Sequence, residues 1–326
     1  MATHRLRCAV LDDYQDAARR FGPWDLVAGE VELHVFTDHL HDEAALVERL
    51  QPFDIVCLMR ERTPLPASVI DQLPKLQLIL TTAIWNAVLD AEHAVSRGIM
   101  VCGTDSIQNG TPELTWLLIL ALARRFEDER TSVRNGGWQT AVGMDLRKRT
   151  LGLMGLGNVG KRVARVAQAF GMRVLAWSHN LTDEAAAANG ASRVDLQTLL
   201  AESDFVSVHL RLSDRTQRII HADALRQMKR SAYLINTSRG QLVDTDALID
   251  AMRNGVIAGA ALDTFDVEPL AADDPLRTLP NVLVTPHIGY VTEATYKLFF
   301  EQIVEDIRAW LDGKPIRLMG RERGSQ

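Results

Sequence analysis

The sequence predicts an α/β protein of two doubly wound units built on parallel sheets, and three observations carry that prediction. Strand-like apolar runs alternate with helix-periodic runs along the whole chain. A glycine-rich turn, Gly155-Leu156-Gly157-Asn158-Val159-Gly160, joins one strand run to one helical run near mid-chain, with a full set of strands and helices before it. At 326 residues the chain is long for one domain and natural for two.

In the first unit Leu6–Leu11, Leu33–Phe36, Ile55–Met59, Leu76–Thr81 and Ile99–Cys102 read as strands, apolar enough to be covered on both faces. Glu43–Leu50, Ala67–Leu73 and Asp90–Arg97 read as helices, the last stopped by Gly98. Thr111-Pro112-Glu113 predicts the start of one long helix to about Arg134, because it offers a capping hydroxyl, a proline at the first helical position and an early acid. Asn135-Gly136-Gly137 ends it. The apolar run Leu114–Ala123 within it reads as buried, and is far short of the roughly 18 residues that span a bilayer.

The second unit begins at Thr150. Its strands are Thr150–Met154, Arg173–Trp177, Phe205–His209, Tyr233–Asn236, Ile257–Leu262 and Val282–Thr285, and its helices include Val159–Phe170, Asp195–Ala201 and Asp244–Arg253, with Asp244 as cap. Six strands with helical crossovers imply a doubly wound sheet. The last helix, about Thr292–Leu311, has nothing left to cross to there, so it is expected to return to the first unit, before a frayed polar tail, Arg321–Gln326. This makes the first domain discontinuous: residues 1–103 and 290–326, with 104–289 as the inserted domain.

Composition narrows the function. A net charge of −6 and the lack of any long Lys/Arg run argue against nucleic-acid binding. The basic start, Met1 to Arg7, runs into Asp12 and Asp13 and is no signal peptide. Three cysteines, Cys8, Cys57 and Cys102, fall in strand runs and read as reduced, buried thiols of a cytoplasmic protein. His4, His34, His39, His41, His93 and His221 read as solvated and His209 as structural; none has metal-ligand spacing, so no metal is expected.

The glycine turn has the strand–turn–helix context that a dinucleotide site requires. Gly155, Gly157 and Gly160 allow the tight turn, the close approach of a pyrophosphate and the packing of helix on strand, while free N–H groups at the helix start favour the anion. An NAD-selecting site places an acid at the end of the next strand, where it holds the ribose hydroxyls. This chain has Trp177-Ser178-His179-Asn180 instead. Nothing there repels a 2′-phosphate and no arginine clamps one, so dual use of NAD and NADP, tilted to NADP, is the expectation, with Ser178 and His179 beside the ribose.

Three downstream motifs, Leu234-Ile235-Asn236-Thr237-Ser238-Arg239-Gly240, Ala261-Leu262-Asp263-Thr264-Phe265-Asp266-Val267-Glu268-Pro269 and Thr285-Pro286-His287-Ile288-Gly289, resemble in order and spacing the signatures of the D-isomer-specific 2-hydroxyacid dehydrogenases. The first half resembles the family more loosely, chiefly in Thr111-Pro112-Glu113-Leu114. The resemblance implies a Rossmann cofactor domain inserted into a flavodoxin-like substrate domain, and a homodimer with the helix after Thr111 in its interface. It makes His287 the catalytic acid/base, Glu268 its carboxylate partner and Arg239 the residue that grips the substrate carboxylate and carbonyl. Asn158, Val159, Thr237, Ser238 and Asp263 match cofactor-contacting positions, with Gly289 counted beside them. The substrate it implies is a small 2-oxoacid or D-2-hydroxy acid of the glyoxylate or hydroxypyruvate type.

Those residue types suit that chemistry. Histidine titrates near working pH, and a carboxylate on its far nitrogen fixes the tautomer and stabilises the imidazolium. Arginine grips a carboxylate with two parallel donors, which lysine does poorly. The loop Thr81-Thr82-Ala83-Ile84-Trp85-Asn86 departs from the family, having Ala83 and Ile84 where glycine is usual. Its N–H groups and Arg60, after the third strand, are expected at the substrate, with Arg62 adding positive charge. Trp85 and Trp138 read as core or subunit contacts before pocket walls. The competing reading is a non-catalytic NAD(P)-sensing protein resembling a corepressor, which would need only the glycine turn. The trio Arg239, Glu268 and His287 argues for catalysis. A formate dehydrogenase is disfavoured because that relative carries Gln where Glu268 stands.

Overall fold

The computed structural model describes residues 5–319. They form two compact units, one made of the chain up to Ile107 together with the chain from Thr292 on, the other of Gln108–Val291. His4 and the tail Arg321–Gln326 lie outside the described residues.

The first unit runs β1 (Leu6–Val10), α1 (Ala17–Phe21), β2 (Val31–Val35), α2 (Glu43–Leu50), β3 (Ile55–Leu58), α3 (Ala67–Ile70), β4 (Leu78–Thr81), α4 (Ala91–Ser96) and β5 (Met100–Gly103). Its sheet has the order β2-β1-β3-β4-β5, and every pairing is parallel. β3 and β4 are buried along their whole length, as expected of strands covered by helices on both faces. Asp42 and Asp90 cap α2 and α4. Gly98 follows α4 with a φ of 81°, the left-handed stop that glycine supplies without strain. The chain's last helix belongs to this unit and packs on α1.

The three thiols are free and buried. Burial pushes the Cys102 thiol up to about 12, so it is inert as a nucleophile. His39 corrects an expectation: it is not solvated. Its side chain is 6% exposed, and Nδ1 lies 2.8 Å from Oδ1 of the buried Asp12. Burying that carboxylate demands partners, and His39 with the Thr63 hydroxyl (2.5 Å) provides them.

The second unit opens with α5 (Gly110–Ala123) and α6 (Phe126–Arg134). These replace the single long helix that Thr111 to Arg134 predicts. Arg125, between them, has a φ of 49°, and the carbonyl of Ala123 accepts the N–H of Met144 at 2.7 Å from a returning loop. A distant partner for the helix-end carbonyl overrides good helix formers. Thr111 is no cap either: it lies inside α5, and its hydroxyl donates to the Gly289 carbonyl at 3.2 Å. Nor is Leu114–Ala123 wholly buried, since Leu117 is 60% exposed.

There follow β6 (Thr150–Met154), α7 (Asn158–Ala169), β7 (Arg173–Trp177), α8 (Asp183–Ala187), β8 (Ser192–Arg193), α9 (Leu196–Glu202), β9 (Phe205–Val208), α10 (Ala222–Gln227), β10 (Tyr233–Asn236), α11 (Thr245–Arg253), β11 (Gly259–Leu262) and β12 (Val282–Val284). The parallel sheet has seven strands, in the order β12-β11-β10-β9-β6-β7-β8. The strand absent from the six expected is β8, two polar residues with no apolar run to announce them. Chain order reverses between β6 and β9, the place where open α/β sheets leave a ligand crevice at the strands' carboxyl ends. Met154 pairs with Trp177 on one side and Val208 on the other, so the residues following β6, β7 and β9 share that edge. Asp195 and Asp244 cap α9 and α11. In the first unit Thr292 caps α12 (Glu293–Leu311).

Candidate active site

The glycine turn lies on the carboxyl edge of β6. Gly155 has a φ of 103° and its N–H donates to the Trp177 carbonyl at 2.8 Å. A Cβ on Gly160 would overlap the Gly155 carbonyl oxygen, whereas one on Gly157 would meet nothing within 4 Å. One glycine thus closes helix onto turn and the other leaves open space. Asn158 and Val159 open the 12-residue α7, whose first N–H groups have no intrahelical acceptor. Open space against a helix N-terminus fits a dinucleotide pyrophosphate.

Ser178 and His179 follow β7 on the same edge, the first half-buried and the second exposed, with the His179 ring edge-on to Trp177 at 4.9 Å. His209, after β9, is half-buried and hydrogen-bonded to the Ser207 hydroxyl at 2.9 Å; desolvation of its ring pushes its pKa down to about 4. It is neutral and structural.

Three more loops leave the edge at β10, β11 and β12. After β10 the buried Asn236 side chain donates to the Arg239 carbonyl (2.7 Å) and accepts from the Ser238 N–H (3.0 Å), shaping the turn from which Arg239 projects. Thr237 shares a hydrogen bond with the Thr115 hydroxyl at 2.9 Å, and the Ser238 hydroxyl donates to the Leu210 carbonyl at 3.0 Å. Gly240 then abuts the Phe265–Asp266 peptide so closely that a Cβ there would overlap it. That contact sets the Arg239 turn beside the loop carrying Glu268.

After β11, Asp263 is 1% exposed and ties this loop to the next. Its carboxylate accepts from the Thr285 hydroxyl (2.6 Å) and from the N–H groups of Ile288 and Gly289 (both 2.8 Å). Burial raises its pKa against those donors. Gly289 is spaced for this: a Cβ would press on Asp263 Oδ2 and Thr111 Oγ1, both at 3.1 Å. His287, held by that frame with a φ of 52°, meets Glu268: Nδ1 to Oε2 is 2.6 Å. The other Glu268 oxygen accepts the Phe265 N–H at 2.9 Å. With a carboxylate on Nδ1, Nε2 is the ring nitrogen that such a pair can use to exchange a proton.

In the first unit Arg60 follows β3 and Ala83-Ile84 follow β4, at the carboxyl edge of that sheet. The Ala83 N–H is already engaged, donating to the Thr104 hydroxyl at 2.9 Å. Arg62 donates to the Asp12 carbonyl at 2.6 Å and stacks on Tyr14. Trp85 and Trp138 are 65% and 74% exposed, so neither is a core residue. Asn236, Thr285 and Thr115, which shape the loops, were not distinguished in the sequence: each is a small polar residue within or beside an apolar run, and only burial reveals its task. Among the described residues no group of three His, Cys, Asp or Glu could hold a metal ion, and no helix is long and apolar enough to cross a membrane.

Comparison with known proteins shows what this chain is similar to. A family model described as D-isomer specific 2-hydroxyacid dehydrogenase, NAD binding domain, matches residues 116–289. The chain is 37% identical over 307 residues to a glyoxylate reductase of Korarchaeum cryptofilum, covering 90% of this chain and 92% of that one. It is 36% identical over 281 residues to a glycerate dehydrogenase of Methylorubrum extorquens, covering 83% and 86%. Among solved structures, a putative D-3-phosphoglycerate dehydrogenase oxidoreductase from Ralstonia solanacearum superposes with a TM-score of 0.91 at 33% identity, covering 97% of each chain.

Proposed function

The chain belongs to the D-isomer-specific 2-hydroxyacid dehydrogenases and is an NAD(P)-dependent 2-oxoacid reductase; from that premise we propose how its residues divide the reaction. The reduced nicotinamide, when bound, supplies the hydride. His287 gives the proton from Nε2 to the substrate oxygen, and Glu268 holds the ring and stabilises its charged form. Arg239 binds the substrate carboxylate and polarises the carbonyl. Asp263 and Gly289, set among the cofactor contacts by the family resemblance, also brace the loop that carries His287. Gly155, Gly157, Asn158, Val159 and Gly160 hold the pyrophosphate, and Thr237 and Ser238 line the cofactor side. Arg60, Ala83 and Ile84, on the carboxyl edge of the five-stranded sheet, are read as substrate contacts, with the Ala83 N–H itself taken by the Thr104 hydroxyl. The observation that carries this reading is the 2.6 Å His287–Glu268 pair on the same sheet edge as the glycine turn.

The substrate is a small 2-oxoacid of the glyoxylate or hydroxypyruvate type. Oxidation of NADH and NADPH over a panel of glyoxylate, hydroxypyruvate and pyruvate tests it. Turnover supports the reading, and inactivity across the panel leaves a non-catalytic nucleotide-binding protein. Ser178, where an acid would select NAD, supports use of both cofactors with a tilt to NADP. A preference for NADH above about 100-fold, roughly 2.7 kcal/mol, would sink that part.

Homodimer formation is the reading that best suits the exposed apolar residues Leu117 and Leu120 on α5 with Trp138 and Val142 beyond α6; light scattering of the purified protein decides it. The buried thiols, none of them in a disulfide, favour a reducing cytoplasm, and localisation of the tagged protein tests that.

A further inference from the structure

We propose that Asn86 is a positioning residue for substrate: its amide, with the Thr82 hydroxyl, locks the Arg60 backbone in a left-handed conformation and so fixes where the Arg60 guanidinium is presented. This rests on the reading of Arg60 as a substrate contact.

The carboxyl edge of the five-stranded sheet is unusual in where it bends. Asp12 after β1, Arg60 after β3 and Ala83 after β4 each have positive φ, at 55°, 54° and 88°. These are the three central strands of the sheet, and β1 and β3 flank its switch point. None of the three residues is glycine, so each stays in this region only where its surroundings over-determine it. Strain of this kind clusters where a ligand must be met.

At Arg60 the restraint is explicit. Its N–H donates to Thr82 Oγ1 at 2.7 Å, and its carbonyl accepts from Asn86 Nδ2 at 2.8 Å. Both faces of one strained residue are therefore held by side chains of the neighbouring loop. Asn86 is 7% exposed and has no other task outside that loop. The second Nδ2 donor goes to Thr81 Oγ1 at 3.0 Å, and Oδ1 accepts the Val88 N–H at 3.0 Å. The amide is a knot with one strand to Arg60 and the others anchored in its own loop.

The knot has a firm base. The Thr82 N–H donates to the Leu58 carbonyl (3.1 Å), and the Thr104 N–H to the Thr81 carbonyl (3.0 Å). Gly103 lets the loop lie close, since a Cβ there would sit 2.7 Å from the Ala83 carbonyl oxygen. The Arg60 guanidinium itself reaches the Thr82 carbonyl at 3.4 Å. A buried, fully used amide is costly to lose, because its partners are left without hydrogen bonds. Here the partner left behind would be the strained Arg60.

The test is calorimetric binding of oxalate, a dianionic mimic of a 2-oxoacid, to the NADH-loaded enzyme, with NADH affinity measured separately. Asn86→Ala is expected to weaken oxalate at least about tenfold, roughly 1.4 kcal/mol, with NADH affinity within about twofold of wild type. Arg60→Ala is expected to weaken oxalate by a similar factor, and the double variant no more than Arg60→Ala alone. Additive losses, or unchanged oxalate binding in Asn86→Ala, would overturn the proposal. So would a wild type that takes up no oxalate. A wild type that binds oxalate but leaves glyoxylate, hydroxypyruvate and pyruvate untouched ends the reaction reading while the Asn86 result still stands or falls by itself. Should Asn86→Ala fail to fold, Thr82→Val and Thr82→Ser replace it. Valine lacks the acceptor and is expected to weaken oxalate, whereas serine keeps the acceptor and wild-type binding; equal behaviour of the two refutes the role.

Discussion

At the carboxyl edge of the seven-stranded sheet the sharpest turn is made by glycine: Gly155 bends at a φ of 103° where a Cβ would lie 2.5 Å from the His209 carbonyl oxygen. At the carboxyl edge of the five-stranded sheet the turns are made by Asp12, Arg60 and Ala83, residues that carry a Cβ and are held by threonine and asparagine side chains. At Gly155–Gly160 the first edge uses backbone freedom, so that open space and N–H groups face an anion, while its His287 turn, at a φ of 52°, is held by the Asp263 side chain. The second uses cross-linked side chains. A turn built on glycine announces itself in sequence, whereas one built on hydrogen-bonded restraint does not.

The two units also treat buried acids differently. Asp263 in the seven-stranded unit has three donors on its two oxygens. Asp306, on α12 in the five-stranded unit, has Arg317 on Oδ1 at 3.0 Å and no partner for the buried Oδ2. One carboxylate is a brace beside His287; the other has room for a proton.

The largest way to sharpen the comparison is at His287. His287→Ala is expected to lower kcat on the preferred 2-oxoacid about a thousandfold, roughly 4 kcal/mol, with NADH affinity unchanged by fluorescence titration. Near-normal turnover would remove His287 from proton transfer and shift attention to the other edge.

Next comes Asp306. Burial pushes its pKa up to about 7 against the pull of Arg317, with Glu305 and Asp105 adding to the rise. Below about pH 4 the folded and unfolded chains both hold this proton; between about 4 and 7 only the folded chain does. Stability from this group therefore falls as pH rises through that window and is flat above it. At about 1.4 kcal/mol per unit the bound is roughly 4 kcal/mol. Asp306→Asn should gain on wild type between pH 5 and 8 in chemical denaturation. Parallel curves would mean that the Arg317 pair keeps the carboxylate ionised.

How much was legible follows the same division. The cofactor half was readable because Gly155, Gly157 and Gly160, and then the Arg239, Glu268 and His287 motifs, are chemically distinctive at fixed spacing. Caps such as Asp195 and Asp244 were readable because a short acid before a periodic run has a local cause. The break at Arg125 was not, since its cause is Met144, nineteen residues on. His39 looked solvated because Asp12, 27 residues away, is what buries it. Asn86 and Thr82 could not be singled out within their loop for the same reason: their partner, Arg60, lies on another loop.

Gly155→Ala is the third test, and it attacks the glycine-built edge. The new methyl meets backbone, which cannot rotate away, at a φ that alanine disfavours. A loss of about 2–3 kcal/mol in denaturation is expected, with cofactor affinity falling too. A neutral outcome would mean that the turn can relax and that glycine there is incidental.

The smallest effect is the mirror substitution on the other edge. Ala83→Gly removes a Cβ from a residue at φ 88°, which relieves about 1–2 kcal/mol of strain. Glycine also gives the unfolded chain more freedom, which returns about 0.5–1 kcal/mol. The net expectation is a gain of roughly 0.5–1 kcal/mol in chemical denaturation. Because the Ala83 N–H is held by Thr104 and the loop by Asn86, that gain should come with no loss of oxalate binding. If Ala83→Gly instead destabilises, the methyl of this buried residue is worth more as packing than it costs as strain. The two edges would then differ in what fills them and not in how they bend.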